Sequence, residues 1–257
     1  MDRRAAEHRS NEWLGQHFLR SPKLAASLVD RVNLSSSDLV IEVGAGHGML
    51  TNELVGRAAL VIAVEVDPSL AIGLVRRFSH EDAVIVAAGD FFDLPRPADE
   101  FRLFGNVPFD KTTRLLRNVL DVAGSHMRRA DLIVQHGAAI KRARSRNLLN
   151  LCWAPWWDFS MGKRIPSSAF RPRPSVDAAV LTISKKTTPL LPDREAVGFA
   201  QFARNAWSAR DVRTAMKPFV HDRRLHHLST QLRFPLGASP AKLDVQQWVA
   251  LYRAIAE

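Results

Sequence analysis

Apolar residues in the first part of the chain fall into two kinds of pattern. Leu39-Val40-Ile41, Leu60 to Val64, Val84-Ile85-Val86, Phe101 to Phe104 and Leu132-Ile133-Val134 are unbroken apolar runs. Runs of that length without polar alternation predict strands covered on both faces. Between them the apolar positions recur at helical spacing. Leu24, Leu28 and Val32 mark a helix over Pro22 to Val32, and Leu70, Leu74 and Phe78 mark one over Pro68 to Phe78. Met49 to Val55 and Leu115 to Val122 complete the series. Strand and helix therefore alternate, which predicts an α/β fold with a doubly wound, mostly parallel sheet.

Past Asn147 the pattern changes. Trp153, Trp156 and Trp157 cluster and are expected to pack in a core or between domains. Phe170-Arg171-Pro172-Arg173-Pro174 then punctuates the chain, and Val176 to Ile183 reads as a strand. Lys185 to Pro192 has the character of a linker. From Arg194 onward helical periodicity dominates, with Phe199, Phe202, Ala206, Leu225, Leu228, Trp248 and Leu251 as apolar contacts. The expected organisation is a larger α/β domain over residues 1–184 and a small helical domain over 185–257.

Composition narrows the partners. Lys and Arg number 36 against 26 Asp and Glu, a net charge of +10. Such an excess attracts a polyanion and releases its counterions, which favours a nucleic acid. One cysteine, Cys152, excludes an intrachain disulfide and a multi-cysteine metal site. His136, His221, His226 and His227 lack carboxylates or cysteines at ligand spacing, so no metal is expected. Residues 1–16 are charged, and no stretch has the ~20 apolar residues of a membrane helix. A cytoplasmic protein with no membrane partner is the expectation, and a monomer.

Glu42-Val43-Gly44-Ala45-Gly46-His47-Gly48 follows the first buried strand and opens a helix. Glycines there let the backbone turn tightly and approach a ligand. Glu65 ends the next strand, where an acid can bind both hydroxyls of a ribose; NAD and S-adenosylmethionine would be served alike. Asp90 follows the third strand, suited to the exocyclic amino group of a cofactor's adenine. Asn106 follows the fourth. Ligands of open parallel sheets bind at the carboxyl ends of the strands, and all four features lie there.

Asn106-Val107-Pro108-Phe109 is the most specific motif. The N6 lone pair of adenine is delocalised into its ring, so the nitrogen is a poor nucleophile. Two acceptors on its N–H bonds, the Asn106 side-chain oxygen and the Val107 carbonyl, would favour a tetrahedral nitrogen over the planar ground state. Pro108 restricts Val107 and so helps to aim that carbonyl. Phe109 offers a face for an extruded base. No strong base is needed when the methyl donor is a sulfonium.

With these motifs the chain resembles the rRNA adenine N6-methyltransferases. The likeness starts at Gly15-Gln16-His17-Phe18-Leu19, similar to the family's Gln-Asn-Phe-Leu segment. It runs through Glu42 to Gly48, Glu65, Asp90 and Asn106 to Phe109, and ends at Phe170-Arg171-Pro172-Arg173-Pro174-Ser175-Val176-Asp177, similar to Phe-x-Pro-x-Pro-x-Val-Asp. It implies a Rossmann-like class I methyltransferase fold and S-adenosyl-L-methionine as cofactor, held by His17, Leu19, Gly44, Gly46, Glu65, Asp90 and Asn106. It also implies an adenine pocket between Phe109 and Phe170. Two positions depart from the family: His17 stands where Asn is usual, and Phe109 where many members have Tyr.

The family has two sister groups, the Erm macrolide-resistance enzymes acting on 23S rRNA and the small-subunit dimethyladenosine transferases. Thr112-Thr113 with Arg114 to Arg117, and Phe199-Ala200-Gln201-Phe202-Ala203-Arg204, resemble the Erm group. The expected function is N6-methylation of a 23S rRNA adenine at the macrolide-binding region. Small-subunit methylation stays open as an alternative, as does a non-catalytic RNA-binding protein on the same fold; an NAD-dependent dehydrogenase does not explain Asn106 to Phe109. Candidate RNA contacts are Arg128, Arg129, Lys141, Arg142, Arg144, Lys163, Arg164, Arg204, Arg210 and Arg213.

Overall fold

The computed structural model describes residues 16–121 and 126–256. Gly15 and Val122, used in the sequence patterns above, lie outside the described residues. The strands are β1 (Phe18–Leu19), β2 (Leu39–Val43), β3 (Leu60–Glu65), β4 (Val84–Ala88), β5 (Phe101–Asn106), β6 (Met127–Gln135), β7 (Trp157–Ile165), β8 (Phe170–Arg171) and β9 (Ala178–Lys185). Seven of them form one sheet in the order β4-β3-β2-β5-β6-β9-β7. The pairs from β4 through β6 are parallel, and β9 runs antiparallel to β6. The chain order reverses between β2 and β5. At such a switch point the two flanking loops turn away from each other and leave a crevice at the strands' carboxyl ends.

Helices cover both faces of this sheet: α1 (Pro22–Val29), α2 (Met49–Leu54), α3 (Pro68–Arg77) and α4 (Thr112–Leu120). Val40, Val61, Phe104 and Ile133 of the sheet share one core cluster with Ala25, Leu28, Leu50 and Leu54 of α1 and α2. On the opposite face Ile41 and Ile62 share a small cavity with Asn118 of α4. Burying each large apolar side chain contributes about 1.5–3 kcal/mol, so α1 and α2 are held mainly by these contacts. Ser21 caps α1 and Asp67 caps α3 through the first-turn N–H groups, each with a proline following.

The described residues divide into two compact units: 16–119, 126–143 and 159–184 in one, and 120–121, 144–158 and 185–256 in the other. Segments 120–121 and 144–158, expected in the first domain, group with the second unit: the tryptophans of 144–158 join its core, and Trp153 Nε1 donates to Asp121 at 2.7 Å. Trp153 and Trp156 are buried, and Trp156 meets Phe199 edge-on at 5.9 Å. The second unit contains α6 (Leu148–Trp153), α7 (Ala196–Trp207), α8 (Val212–Met216), α9 (Asp222–Gln231) and α10 (Val245–Ala256). Its core is aromatic: Phe202 packs against Trp248 at 5.7 Å and Tyr252 at 5.6 Å.

β1, β8 and α6 were not predicted from the sequence, and β6, β7 and the helix over His136–Arg144 also differ from its expectation. β6 extends back to Met127 because buried Asp131 is paired with Arg129 and Thr182, which lets charged residues continue the strand. β7 was not visible in the apolar pattern, since it is the end strand of the described sheet and most of its side chains are not buried. α5 (His136–Arg144) is a polar helix without an unbroken apolar face.

Gly105 sits where β5 passes closest to β2, and a Cβ there would lie 2.3 Å from the Val43 carbonyl oxygen. Backbone cannot yield as a flexible side chain can. Gly105→Ala should therefore destabilise the protein by about 3 kcal/mol, the upper range of overpacking costs. Chemical denaturation checks this; a change below ~0.5 kcal/mol would show that β2 and β5 can separate freely.

Candidate active site

The crevice between β2 and β5 holds a cavity of about 300 Å³. Gly44 closes β2, Glu65 closes β3, Gly89-Asp90 follows β4, and Asn106 closes β5 into Val107-Pro108-Phe109. Val66, Phe91 and Phe92 form apolar wall on the Asp90 side, and Gln16, His17 and Phe18 form another part of the wall.

Glu65 organises the site. Its side chain is buried at 1% exposure, yet each oxygen has a partner. Oε2 accepts from Gly46 N at 2.7 Å, and Oε1 accepts from Asp67 N at 2.9 Å and Gln16 Nε2 at 3.3 Å. The carboxylate thus joins the glycine loop, the start of α3 and the segment ahead of β1. A carboxylate can accept about four hydrogen bonds, so capacity remains for a ligand. The glycine loop has its own constraint at Gly46, where φ is +57° and a Cβ would meet the Phe18 ring at 2.8 Å.

The β1 segment is held down on the other side. β1 pairs antiparallel with β8, Phe18 opposite Arg171 and Leu19 opposite Phe170. The His17 Nδ1–H donates to the Pro172 carbonyl at 2.9 Å, and the ring lies 5.6 Å from that of Phe109. Asn106 Nδ2 donates to the His17 carbonyl at 2.5 Å. That bond fixes which way the amide faces and leaves Oδ1 as the group of Asn106 available to a ligand. Val107 is anchored through its N–H to Ile133 O at 3.1 Å.

Asp90 Oδ1 accepts from Phe92 N at 3.1 Å, so Asp90 also caps the short turn that follows it. Arg114 of α4 lies 3.8 Å from its carboxylate, with the guanidinium 3.7 Å over the Phe92 ring. Arg114 and Lys111 line the cavity, as do Phe91, Phe92 and Gln16. The sequence motifs did not single out their roles: an arginine or lysine in a basic helix looks the same whether it faces solvent or a crevice.

His17, Gly44, Glu65, Asp90, Asn106, Val107, Pro108 and Phe109 are brought together around one cavity. Gly46 reaches it through its bond to Glu65. Two expected contacts are corrected. Leu19 is buried in the core with Leu28 and Phe104 and is not part of the cavity wall. Phe170 is likewise buried at 2% exposure in that cluster, against which Phe109 is packed, and is not part of the cavity wall. A large aromatic beside a pocket motif has the same sequence signature in either position.

The basic candidates separate by burial. Lys141, Arg144, Arg204, Arg210 and Arg213 are exposed. Arg128 is exposed beside Glu100, Lys163 beside Ser27, and Arg164 beside Asp177. Arg129 is committed to Asp131. Arg142 is only 7% exposed, so it is corrected from an RNA contact to an interior residue; burial, with Arg117 adding to the effect, pulls its pKa down. Among the described residues no three His, Cys, Asp or Glu gather at metal-binding range, and no helix is long and apolar enough to cross a membrane.

Glycines with positive φ, a buried carboxylate with spare acceptor capacity, a second acid at the next strand end and phenylalanine walls suit an adenosyl ligand. The residues present fit S-adenosylmethionine in that chemistry.

A model of the family described as ribosomal RNA adenine dimethylase matches residues 7–257. The chain is 31% identical to the mycinamicin-resistance protein MyrB of Micromonospora griseorubida, over 95% of this chain and 78% of that protein. It is 29% identical to ribosomal RNA small subunit methyltransferase A of Synechococcus sp. (strain JA-2-3B'a(2-13)), over 92% of this chain and 89% of that protein. In fold it is similar to the crystal structure of the 23S rRNA methyltransferase ErmE, with a TM-score of 0.82 at 24% identity, covering 93% of this chain and all of that one.

Glu42, beneath the glycine loop, gives a test by pH. It is fully buried, and Thr51 Oγ1 donates to its Oε2 at 2.6 Å. Burial pushes its pKa up to about 8 against the Thr51 hydrogen bond, and the charge of Glu65 adds to the rise. Between about 4.5 and 8 the unfolded chain has lost this proton while the folded protein keeps it. The group's contribution to stability is therefore full below that window and is lost as pH rises through it. Glu42→Gln, neutral throughout, should flatten the fall in melting temperature across the same range. An unchanged pH profile in the variant would place the titration elsewhere.

Proposed function

Because the chain belongs to the ribosomal RNA adenine dimethylase family, we propose that it is the 23S rRNA member type: it methylates N6 of one adenine at the macrolide-binding region with S-adenosylmethionine, and so confers macrolide resistance. That it is an rRNA adenine-N6-methyltransferase follows from the family. The 23S target is favoured by the similarity, over 95% of this chain, to the mycinamicin-resistance protein. The similarity to the small-subunit enzyme keeps small-subunit rRNA as the second reading.

The observation that carries the mechanism is the Asn106 amide, oriented by the His17 carbonyl beside the anchored Val107. Glu65 would hold the ribose hydroxyls, Asp90 the adenine amino group, and Gly44 the nearby backbone contact of S-adenosylmethionine. When bound, that cofactor supplies an electrophilic methyl group on a positively charged sulfur. Asn106 Oδ1 and the Val107 carbonyl accept the two N–H bonds of the target amino group. This draws the nitrogen lone pair out of conjugation and toward the methyl. Phe109, packed against the buried core cluster, presents a face to the base; stacking of this kind contributes about 1–3 kcal/mol. The proton released after transfer needs no strong base, since the alkylated nitrogen is a strong acid, and it leaves to solvent. Apolar neighbours keep water from competing for the acceptors.

Asn106→Ala should lower single-turnover methylation by about 10²–10³, the loss typical of one preorganised hydrogen bond to a transition state. Thermal melting should be near that of the wild type, since Asn106 is only partly buried. Near-normal turnover in a folded variant would remove the amide from the mechanism.

Target choice is tested with protein-free rRNAs. Labelling is expected on 23S rRNA, little on assembled large subunits and little on small-subunit rRNA, with raised macrolide tolerance in a sensitive host. Extrusion costs least for an unpaired adenine, and an assembled subunit hides that region. Preferential labelling of small-subunit rRNA with unchanged tolerance would transfer the assignment to the assembly enzymes.

A further inference from the structure

The second unit carries a groove of about 520 Å³ that shares no residue with the catalytic cavity. It runs from the end of α8 to the start of α9. Phe219 lies in it at 40% exposure, one of few large apolar side chains so exposed among the described residues. The ring is not loose. It meets Phe202 edge-on at 6.0 Å and 78°, and Phe202 is itself locked among Trp248 and Tyr252. One side of Phe219 is thus fixed to the aromatic core while the rest faces the groove.

Arg213 and Lys217 flank this ring, four residues apart and both exposed. Arg213 Nη2 lies 3.0 Å from His226 Nε2; arginine has no acceptor, so it donates and the histidine orients it. Asp222 is the acid in the groove. The adjacent Asp211 is already spent capping α8 at Thr214 N and pairing with Arg210. A rigid, half-exposed aromatic face between two cations is the chemistry that binds a single-stranded nucleic acid: bases stack on the ring and phosphates meet the charges. A peptide helix would need a longer apolar strip than one phenylalanine.

We infer that Phe219, Arg213 and Lys217 form a second RNA contact, in which an unpaired nucleotide of the rRNA substrate stacks on Phe219 while its flanking phosphates meet Arg213 and Lys217. The inference rests on rRNA being the substrate. Stacking and phosphate contacts read no base edge, so the contact adds affinity without choosing the methylated adenine. It acts equally on bound substrate and transition state, so it moves KM and leaves kcat unchanged.

The test uses the full chain and a protein-free transcript of whichever rRNA region the wild type methylates, so the target assignment and the groove stand or fall separately. Phe219→Leu keeps apolar packing on Phe202 and removes the aromatic face; Phe219→Tyr keeps the face. Lys217→Ala removes one charge. Phe219→Leu should raise the KM for RNA about tenfold, within the range for one stacked base. Its kcat and its calorimetric affinity for S-adenosylmethionine should be unchanged, and Phe219→Tyr should bind as the wild type does. Lys217→Ala should lower the slope of log affinity against log salt by about 0.7–0.9, the value for one phosphate. Unchanged KM in Phe219→Leu, or an unchanged salt slope in Lys217→Ala, overturns the proposal. So does a Phe219→Leu variant whose only change is a lower melting temperature, since that is the signature of a packing residue.

Discussion

A single buried carboxylate, Glu65, ties together the parts from which the site is made. Carboxylates are costly to remove from water unless hydrogen bonds replace the lost solvation. Here the replacements come from Gly46 N, Asp67 N and Gln16 Nε2, three segments distant in sequence. The satisfaction of one charged group therefore requires the glycine loop, the start of α3 and the segment ahead of β1 to be in place together. Glu42 lies on the neighbouring strand β2 and accepts from Thr51; burial, with the charge of Glu65 adding to it, pushes its pKa up to about 8, toward the protonated form. Two acids so close cannot both be charged cheaply in a dry interior, and the structure resolves this by giving the amides to one and the proton to the other.

The sheet's topology explains why these groups face one space. β2 and β5 are neighbours in the sheet although two strands, β3 and β4, lie between them in the chain. Their loops diverge, and residues just past Val43 and Asn106 are left at the rim. Gly105 allows the two strands to approach, which puts Asn106 beside Gly44; a Cβ at Gly44 would lie 3.4 Å from the Asn106 carbonyl oxygen. The chemistry-bearing amide and the cofactor loop are thus neighbours through backbone geometry, not through side-chain contact.

Legibility of the chain followed burial. β2, β3 and β5 were readable because an inner strand covered on two faces must be apolar at every position, as Leu39-Val40-Ile41 is; β4 ends the described sheet but still carries the unbroken run Val84-Ile85-Val86. β7 was not, because polar residues interrupt its apolar ones from Trp157 to Ile165 and leave no unbroken run. The strand-end residues Glu65, Asp90 and Asn106 were readable because topology alone places strand ends at a crevice. Side-chain direction was not: Phe170 went into the core, Arg142 into the interior, and Arg114 over Phe92. Each is a matter of tertiary packing that leaves no trace in spacing. Segment 144–158 joined the second unit for the same reason, since Trp156 finds its partner at Phe199, more than forty residues on.

The two departures from the family pattern become intelligible through backbone contacts. At position 17 the group that meets Asn106 is the main-chain carbonyl, which any residue supplies. A histidine there keeps that contact and gains another, since its Nδ1–H reaches the Pro172 carbonyl and holds β1 to the segment after β8. At position 109 the ring packs against the buried cluster that contains Phe170 and lies near the His17 ring, so the face is fixed by packing. A tyrosine hydroxyl would add a polar group but no further constraint on the plane. Both substitutions leave the Asn106 amide and the Phe109 face where they are. The motif tolerates change at positions whose contribution is backbone or ring plane, while Asn106 needs an amide, whose Nδ2 donates to the His17 carbonyl and leaves Oδ1 as an acceptor.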